Sequence, residues 1–568
     1  MILCDANDPI SLEHQEVHPL GSRAKVLLTS VFGPFAQDDE YGSRKLNPME
    51  LYHTQVTRLQ GPFSIRMFYR SCGLMMIQAN ITAPCTVLDY PDLYRFVQEA
   101  SQKEYDIIGI SAVSPNLKKV EKMCSLIRKH QAKAKIVVGG HISNMDLHGR
   151  VDADYLVRGE GIRWFRNYLG EAVDQPIKHP QISSVTKIRC MGMNLKTKAR
   201  DTATVLIPSV GCPLGCDFCA TSAMFGGKGR YINFYEIGDE LFDIMCQLEK
   251  EMGVRSFYVM DDNFLLQKKR ALRLLQLMQE HEKAWALYVF GSADILKSYT
   301  IEQLVGLGIS WLWIGLEGKS SHYEKLSGVD TKSLVRYLQG HGIRVVGSSI
   351  IGLEEHTPQN IDEVIEWAVG HEADFYQFML YTPVPGTPFY EKMSQKNALR
   401  SESEIEWADI HGQWQFNYHH PHIKDGQESE FLLRAFRRDF DRNGPSIVRM
   451  VSTLMKGWQR YKNHPEERIR RRFANGVEKM PLLYAGALWA TRRWYGANSR
   501  IGGKIEELLN SIYREFGSKS RFAAPVIGRI VLHFLHREAR RLQNGYVCEP
   551  PTFYESNPRA VTPKKKPA

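Results

Sequence analysis

The chain holds 568 residues and 65.1 kDa, a length of roughly two to four domains at ~100–200 residues each. Hydrophobic residues make up 43% and charged residues 24%, which excludes a disordered chain, a collagen and a coiled coil. The net charge of +10 is uneven, with +17 carried from residue 431 onward and −7 before it, so a basic C-terminal quarter follows a mildly acidic body.

Residues 1–23 lack periodicity and read as a tail. The segment 25–31 is a short apolar run closed by a Gly-Pro loop, hence a strand, while 37–60 is polar and irregular. Further strands are expected at 85–89, 106–111, 135–138 and 155–157, with helical spacing at 92–102 and 117–130 and a last helix ending at Gly170. In 117–130, Val120, Met123, Cys124 and Ile127 share one face. Strands alternating with helices, with Gly or Ser at the strand ends, describe a doubly wound α/β domain over 24–190. Ligands of such sheets lie outside the carboxyl ends of the strands.

Residues 171–203 read as a linker with an irregular strand. A second alternating series spans 204–390, with strands at 204–210, 256–260, 286–290, 311–315, 345–351 and 375–380. Its helices fall near 235–252, 267–281, 300–307, 331–341 and 359–369. Six strand–helix units fit an open (β/α)6 barrel, whose chemistry gathers at the carboxyl strand ends. Beyond Tyr390 the strand signal stops. A helical domain is expected over 400–545 and a disordered basic tail over 550–568. No apolar run approaches the ~18–20 residues needed to span a bilayer. The N-terminal stretch lacks the layout of a secretory signal, so the expected location is the cytoplasm.

The strongest chemical signal follows the strand at 204–210. Cys212, Cys216 and Cys219 lie within eight residues, spaced C-x3-C-x2-C, with Phe218 before the last. Thiolates suit iron–sulfur clusters and zinc, but a structural zinc site needs four ligands, usually as two pairs, and no second CxxC exists. A cubane held by three cysteines leaves its fourth iron open to a small molecule. Gly211, Pro213 and Gly215 suit the tight turns that bring three side chains together.

This spacing resembles the signature of the radical S-adenosylmethionine (SAM) superfamily, and the resemblance extends along the strand ends. The second ends in Asp261-Asp262-Asn263 where the family contacts the SAM amino group; either Asp fits an ammonium. The third ends at Ser292, the fourth in Gly315-Leu-Glu317, the fifth at Gly352, and the sixth enters the loop Thr382–Pro388. The resemblance implies polar SAM contacts from Ser292 and Glu317, packing of the Gly352 stretch on the adenine, and a SAM-side position for Phe218. With an α/β domain in front, the chain resembles the cobalamin-dependent (class B) radical SAM enzymes. That implies cobalamin near Ser111, Ser114, Gly139, Gly140, Gly159 and Glu160. The family's Asp-x-His-x-x-Gly motif is not matched, since Asp146-Leu-His148-Gly149 misplaces the Gly; the cobalt is then expected to lack a His from it. His141, in the same loop region, reads as polar surface.

The remaining features read more plainly. His411, His419, His420 and His422 read as a structural or substrate-facing loop. Cys4, Cys72, Cys85, Cys124, Cys190, Cys246 and Cys548 read as small core residues. Arg470–Arg472, Arg492 and Arg493, with Trp458, Trp489 and Trp494 interleaved, fit either a membrane interface or a helical lid that completes the barrel. Nucleic acid is the weaker fit, because no RRM, KH or zinc-finger pattern is present.

The resemblance implies a [4Fe–4S] cluster on the three cysteines, SAM chelated at the open iron, a 5′-deoxyadenosyl radical and methyl transfer from cobalamin. An external flavodoxin- or ferredoxin-type electron donor and a small-molecule or lipid-like substrate complete the expectation, with peripheral contact at the inner membrane face for the basic module. Two alternatives stay open: a cobalamin-binding radical SAM enzyme performing a cyclisation or redox rearrangement, and a non-catalytic cofactor-binding regulator.

Overall fold

The computed structural model describes residues 1–8, 15–33, 40–43, 55–195, 201–318, 326, 328–496, 499–546 and 553–556. The N-terminal sheet is built from β1 (Ile2–Asp5), β2 (Val26–Ser30), β3 (Cys85–Asp89), β4 (Ile107–Ser111), β5 (Lys135–Gly139), β6 (Tyr155–Arg158) and the distant β13 (Phe553–Ser556), in the order β1-β6-β5-β4-β2-β3-β13. All neighbours are parallel except β13, which runs antiparallel to β3. Strands β2 to β6 thus follow a flavodoxin-like order, with the topological switch between β2 and β4. Helices α1 (Cys72–Asn80), α2 (Leu93–Gln102), α3 (Leu117–His130) and α4 (Gly161–Tyr168) accompany them. In α3 the buried face is the one its periodicity predicts, Val120, Met123, Cys124 and Ile127 among it.

Two expectations at the chain ends are corrected. Ile2–Asp5, read as part of a tail, is an edge strand registered on Tyr155–Arg158. Phe553–Ser556, read as disordered, is the opposite edge; residues 557–568 lie outside the described residues. Each is four residues long with its partner far away in sequence, so local periodicity carries no trace of the pairing. The linker also contains a hairpin, Lys187–Cys190 with Met193–Leu195, which pairs with Arg66–Phe68.

The second sheet is β7 (Thr204–Leu206), β8 (Ser256–Val259), β9 (Ala286–Gly291), β10 (Ile309–Glu317), β11 (Arg344–Ile351) and β12 (Phe375–Leu380), parallel throughout and in chain order. Helix α5 (Ala220–Met224) and helices α6 (Gly238–Met252), α7 (Lys268–Glu280), α8 (Ile301–Gly306), α9 (Thr331–Gly340), α10 (Ile361–Val369) and α11 (Pro388–Gln395) complete a partial (β/α)6 barrel. Its edge strands β7 and β12 do not pair with each other, so the sheet stays open. The pleat is visible in β9, where Leu287 and Val289 are buried while Tyr288 and Phe290 on the other face are only partly so. The expected first strand ends early. After Pro208 the chain leaves the barrel, and Ser209–Val210 pairs antiparallel with Ile232–Asn233.

Five helices follow: α12 (Gln427–Asn443), α13 (Ser446–Tyr461), α14 (Glu467–Val477), α15 (Ala485–Tyr495) and α16 (Arg500–Gln543). Of these, α13 and α14 reach the amino-terminal side of the barrel, where Arg449 donates to the Ala373 carbonyl at 2.8 Å and Arg460 to that of Gly340 at 3.0 Å. Arg468 donates to the Gly306 carbonyl at 2.7 Å and Arg472 to that of Val305, and both carbonyls precede β10. Those two arginines therefore serve the lid. No helix among the described residues is long and apolar enough to cross a membrane.

Candidate functional site

The cysteine loop is held by its own backbone. Cys219 N–H donates to the Cys216 carbonyl at 3.0 Å, Gly229 N–H to that of Pro213 at 2.8 Å, and the Ser222 hydroxyl to that of Cys212 at 2.9 Å. Gly215 sits at φ +63°, and a Cβ there would come within 2.6 Å of the Lys228 Cα, so only glycine lets the loop double back. From the barrel, Tyr381 OH reaches Asp217 at 3.0 Å, and its ring meets Phe218 edge-on at 6.0 Å.

Among the described residues none of the three cysteines forms a disulfide, and all three are half-buried. Burial pushes the Cys212 thiol up to about 11, with Asp262 and the two other cysteines adding to the shift. Cys219 is raised in the same way. Three thiols this close in one loop form a donor set for a cationic centre. Among the described residues no three His, Cys, Asp or Glu side chains are gathered around a single metal ion; three thiolates sharing an iron–sulfur cluster instead surround a larger, polynuclear group. The chemistry of the donors and the tied loop fit that group.

The Asp261–Asp262 pair divides sharply. Asp261 is buried and accepts from Ser209 Oγ at 2.6 Å, Arg270 Nη2 at 2.6 Å and Asn263 N–H at 3.2 Å. Its carboxylate is fully committed to structure. Asp262 is exposed to the cavity, and desolvation by the surrounding protein together with the neighbouring Asp261 pushes it up to about 6, against a hydrogen bond from Gly211 N–H. Ser292 is buried, and its hydroxyl accepts from Asn263 Nδ2 at 3.2 Å. Glu317 is buried at a register shift in β10. Gly352 lies directly under the Phe416 ring, so the contact seen at this position is with the segment after the barrel.

The cavity, ≈ 400 Å³, lies between the two sheets. One wall is the barrel mouth: Val210, Thr221, Met260, Asp261, Asp262 and Phe290. The other is formed by the carboxyl ends of the N-terminal strands: Ser111, Gly139, Gly140, His141, Gly159 and Glu160. It continues as an apolar slot between the sheet and helices α1 and α4, past Leu28, Gly109, Val137 and Phe165. At Gly140, with φ +84°, a Cβ would stand 2.6 Å from the Ala112 carbonyl oxygen, so this strand end can only be glycine. An apolar slot with bare backbone at its rim fits a large flat cofactor with a polar tail.

Of the six residues expected there, Ser111, Gly139, Gly140, Gly159 and Glu160 line the cavity and Ser114 does not. Ser114 begins the helical turn after β4, where its buried hydroxyl has no partner among the described residues. The Glu160 carboxylate caps α4, accepting from Ile162 N–H and from Arg163 N–H at 3.0 Å. Burial nonetheless raises its pKa. Cys212, Cys216, Cys219, Phe218, Ser292, Glu317 and Gly352 are not part of the cavity wall.

Several residues at the cavity or just behind its wall were not anticipated. Asn7, in the supposed tail, donates to the Met224 carbonyl of α5 at 2.9 Å. His141 Nε2 lies 3.4 Å from Thr221 Oγ1, and burial pulls its imidazole below the ordinary range. Cys72, expected in the core, lines the cavity with its sulfur 3.9 Å from that of Met260. The histidine loop turns elsewhere. His420 stacks on Phe416 at 5.3 Å and holds the N–H groups of His422 and Ile423, while His419 pairs with Asp425 at 2.9 Å. Cys548 lies outside the described residues.

Comparison with known proteins agrees with this division. Residues 72–169 match the B12 binding domain and residues 206–368 the Radical SAM superfamily. The bacteriochlorophyllide d C-8(2)-methyltransferase of Chlorobaculum tepidum is 22% identical over 61% of this chain and 80% of its own length. The hopanoid C-2 methylase of Rhodopseudomonas palustris is 26% identical over 60% and 68%. The anaerobic magnesium-protoporphyrin IX monomethyl ester cyclase of Cereibacter sphaeroides is 22% identical over 54% and 56%. With a B12-binding sheet facing a radical SAM barrel across one cavity, the chain belongs to the cobalamin-dependent radical SAM enzymes, whose cofactors are a [4Fe–4S] cluster, SAM and cobalamin.

Proposed function

We propose that the chain is a C-methyltransferase acting on an unactivated carbon of a small-molecule or lipid-like substrate. The observation that carries this reading is the single cavity shared by the strand ends of the B12-binding sheet and the barrel mouth, with Asp262 on its wall. When bound, the cofactors supply the hard chemistry: an electron and a cleavable sulfonium on one side, a methyl group on the other. The protein's part is placement. Cys212, Cys216 and Cys219 hold the cluster. Asp262 accepts the SAM ammonium, a cation that favours its ionised form, while Asp261, bound to Arg270, fixes the strand end beneath it. Asn263 and Ser292 are joined to each other and brace the ribose side with Glu317. Backbone at Gly139, Gly140 and Gly159 borders the corrin, and the unpartnered Ser114 hydroxyl is a donor for its polar tail. Gly352 acts through Phe416, and Glu160 through the cap of α4. Electrons come from an external flavodoxin- or ferredoxin-type protein.

A second reading, cyclisation or redox rearrangement without methyl transfer, is favoured by the resemblance to the ester cyclase. Anaerobic reconstitution with iron, sulfide and cobalamin, then reductant and SAM, separates the readings. The methyltransferase forms 5′-deoxyadenosine and, with substrate, S-adenosylhomocysteine and a product heavier by one methylene; Cys216→Ala forms neither nucleoside. Deoxyadenosine without S-adenosylhomocysteine in the presence of a converted substrate selects the second reading. A fully loaded cluster that leaves SAM intact overturns both and leaves a regulator.

A further inference from the structure

Helix α16 is broken at Gly517, whose φ of 71° and ψ of −155° separate residues 518–543 from the part before. The inner face of this segment is complete. Ser520, Ala524, Gly528, Val531, Leu535 and Glu538 are buried, and the crossing with α15 is so close that a Cβ on Gly486 would meet Ile527 at 2.5 Å. The outer face breaks the usual pattern of a surface helix. Phe522, Val526 and Ile530 are 75%, 58% and 55% exposed, at positions i, i+4 and i+8. Lys519, Arg521, Arg529, Arg537 and Arg540 are exposed around them.

No acid interrupts this face. Between Glu515 and Glu538 the sequence contains neither Asp nor Glu, and both of those carboxylates are engaged inward. Glu515 holds Lys462 at 2.6 Å, and Glu538 lies between Arg66 and Arg189. Among the described residues no carboxylate lies within salt-bridge distance of the five exposed cations.

We propose that this face of residues 518–543 docks the enzyme on an anionic lipid surface, with the helix lying in the plane of the headgroups. A row of apolar side chains that enter the acyl boundary, flanked by cations at phosphate level, is the pattern of an interfacial helix. Single-stranded RNA fits it less well, because one aromatic ring is no stacking platform. An acidic protein would match the cations but leave the apolar row unexplained. The proposal does not depend on the chemistry assigned to the cavity.

The test is co-sedimentation of the full-length protein with two kinds of vesicle, phosphatidylcholine alone and phosphatidylcholine mixed with phosphatidylglycerol. Binding to the mixed vesicles, weakened by salt, is expected. Phe522→Ser/Val526→Ser/Ile530→Ser and Lys519→Gln/Arg521→Gln/Arg529→Gln each lower the partition coefficient about tenfold or more. Because these side chains are exposed, thermal melting should match wild type and exclude misfolding as the cause. Equal binding by the variants, or no binding of wild type to either vesicle, overturns the proposal. So does a dimer in light scattering that the triple serine variant dissolves, or binding of an RNA homopolymer in place of vesicles.

Discussion

Two adjacent carboxylates at the end of β8 carry different burdens, and the difference is testable. Asp261 sits in a buried ion pair with Arg270, reinforced by Ser209. Removing one partner of such a pair leaves the other charge uncompensated, at a cost of roughly 3–5 kcal/mol. Asp261→Ala should therefore lower the melting temperature and reduce cluster loading together. Asp262 makes no such pair and opens onto the cavity. Asp262→Asn should leave melting and the cluster's absorption unchanged while weakening SAM. Loss of a charge-assisted hydrogen bond of roughly 1.5–3 kcal/mol corresponds to about ten- to a hundredfold in Kd. Equilibrium binding of SAM to the reconstituted, unreduced protein reads this directly. If Asp262→Asn binds SAM as wild type does and Asp261→Asn does not, the roles assigned to the two are reversed.

At the level of elements, the turns after β5 and β6 border the cavity on the side of the B12-binding domain. Gly140 combines φ +84° with ψ −170°, a region reserved almost entirely for glycine. Alanine there meets the Ala112 backbone, and the strain alone is worth roughly 1–3 kcal/mol. Gly140→Ala should lower cobalamin retention in gel filtration while the cysteine loop, on the other sheet, still takes up its cluster. Loss of both would mean that the turn supports the whole interface. The strands bearing these glycines were legible because each is a short apolar run ending in glycine, and the cysteine loop because three thiols close in sequence are a local signal. What escaped was non-local. Helix α1 shows no amphipathic face, with Leu74, Met75 and Met76 consecutive and all buried, yet it forms a wall of the cavity. Asn7 gains a role only once β1 has paired with β6. Nothing before folding tells Asp261 from Asp262, because the distinction is made by Arg270, one turn into the next helix. The contacts of Gly352 with Phe416 and of Glu160 with the N–H groups of α4 belong to packing and leave no local mark in the sequence.

For the molecule as a whole, one buried carboxylate ties the basic helical module to the body. Glu538 of α16 lies between Arg66 and Arg189, which stand opposite each other on neighbouring strands of the three-stranded ribbon joining the two sheets. Burial alone would raise its pKa; the hydrogen bonds and charges of Arg189 and Arg66 outweigh that and hold it below the ordinary glutamate value of 4.5. A carboxyl depressed on folding adds stability that is full above the unfolded pKa and is lost as pH falls through the folded one. The latch should therefore be intact at neutral pH and weaken only below about pH 4.5. Limited proteolysis of residues 518–543 across pH measures it: wild type stays protected until the acid range, then opens. Glu538→Gln keeps the shape but removes the carboxylate that faces both buried guanidinium groups, a loss of roughly 3–5 kcal/mol. That variant should be cut readily at neutral pH, with no further change attributable to this site on acidification, while the barrel still loads its cluster. Equal protection of the two proteins at neutral pH would show that apolar packing of α15 on α16, rather than this ion pair, fastens the module.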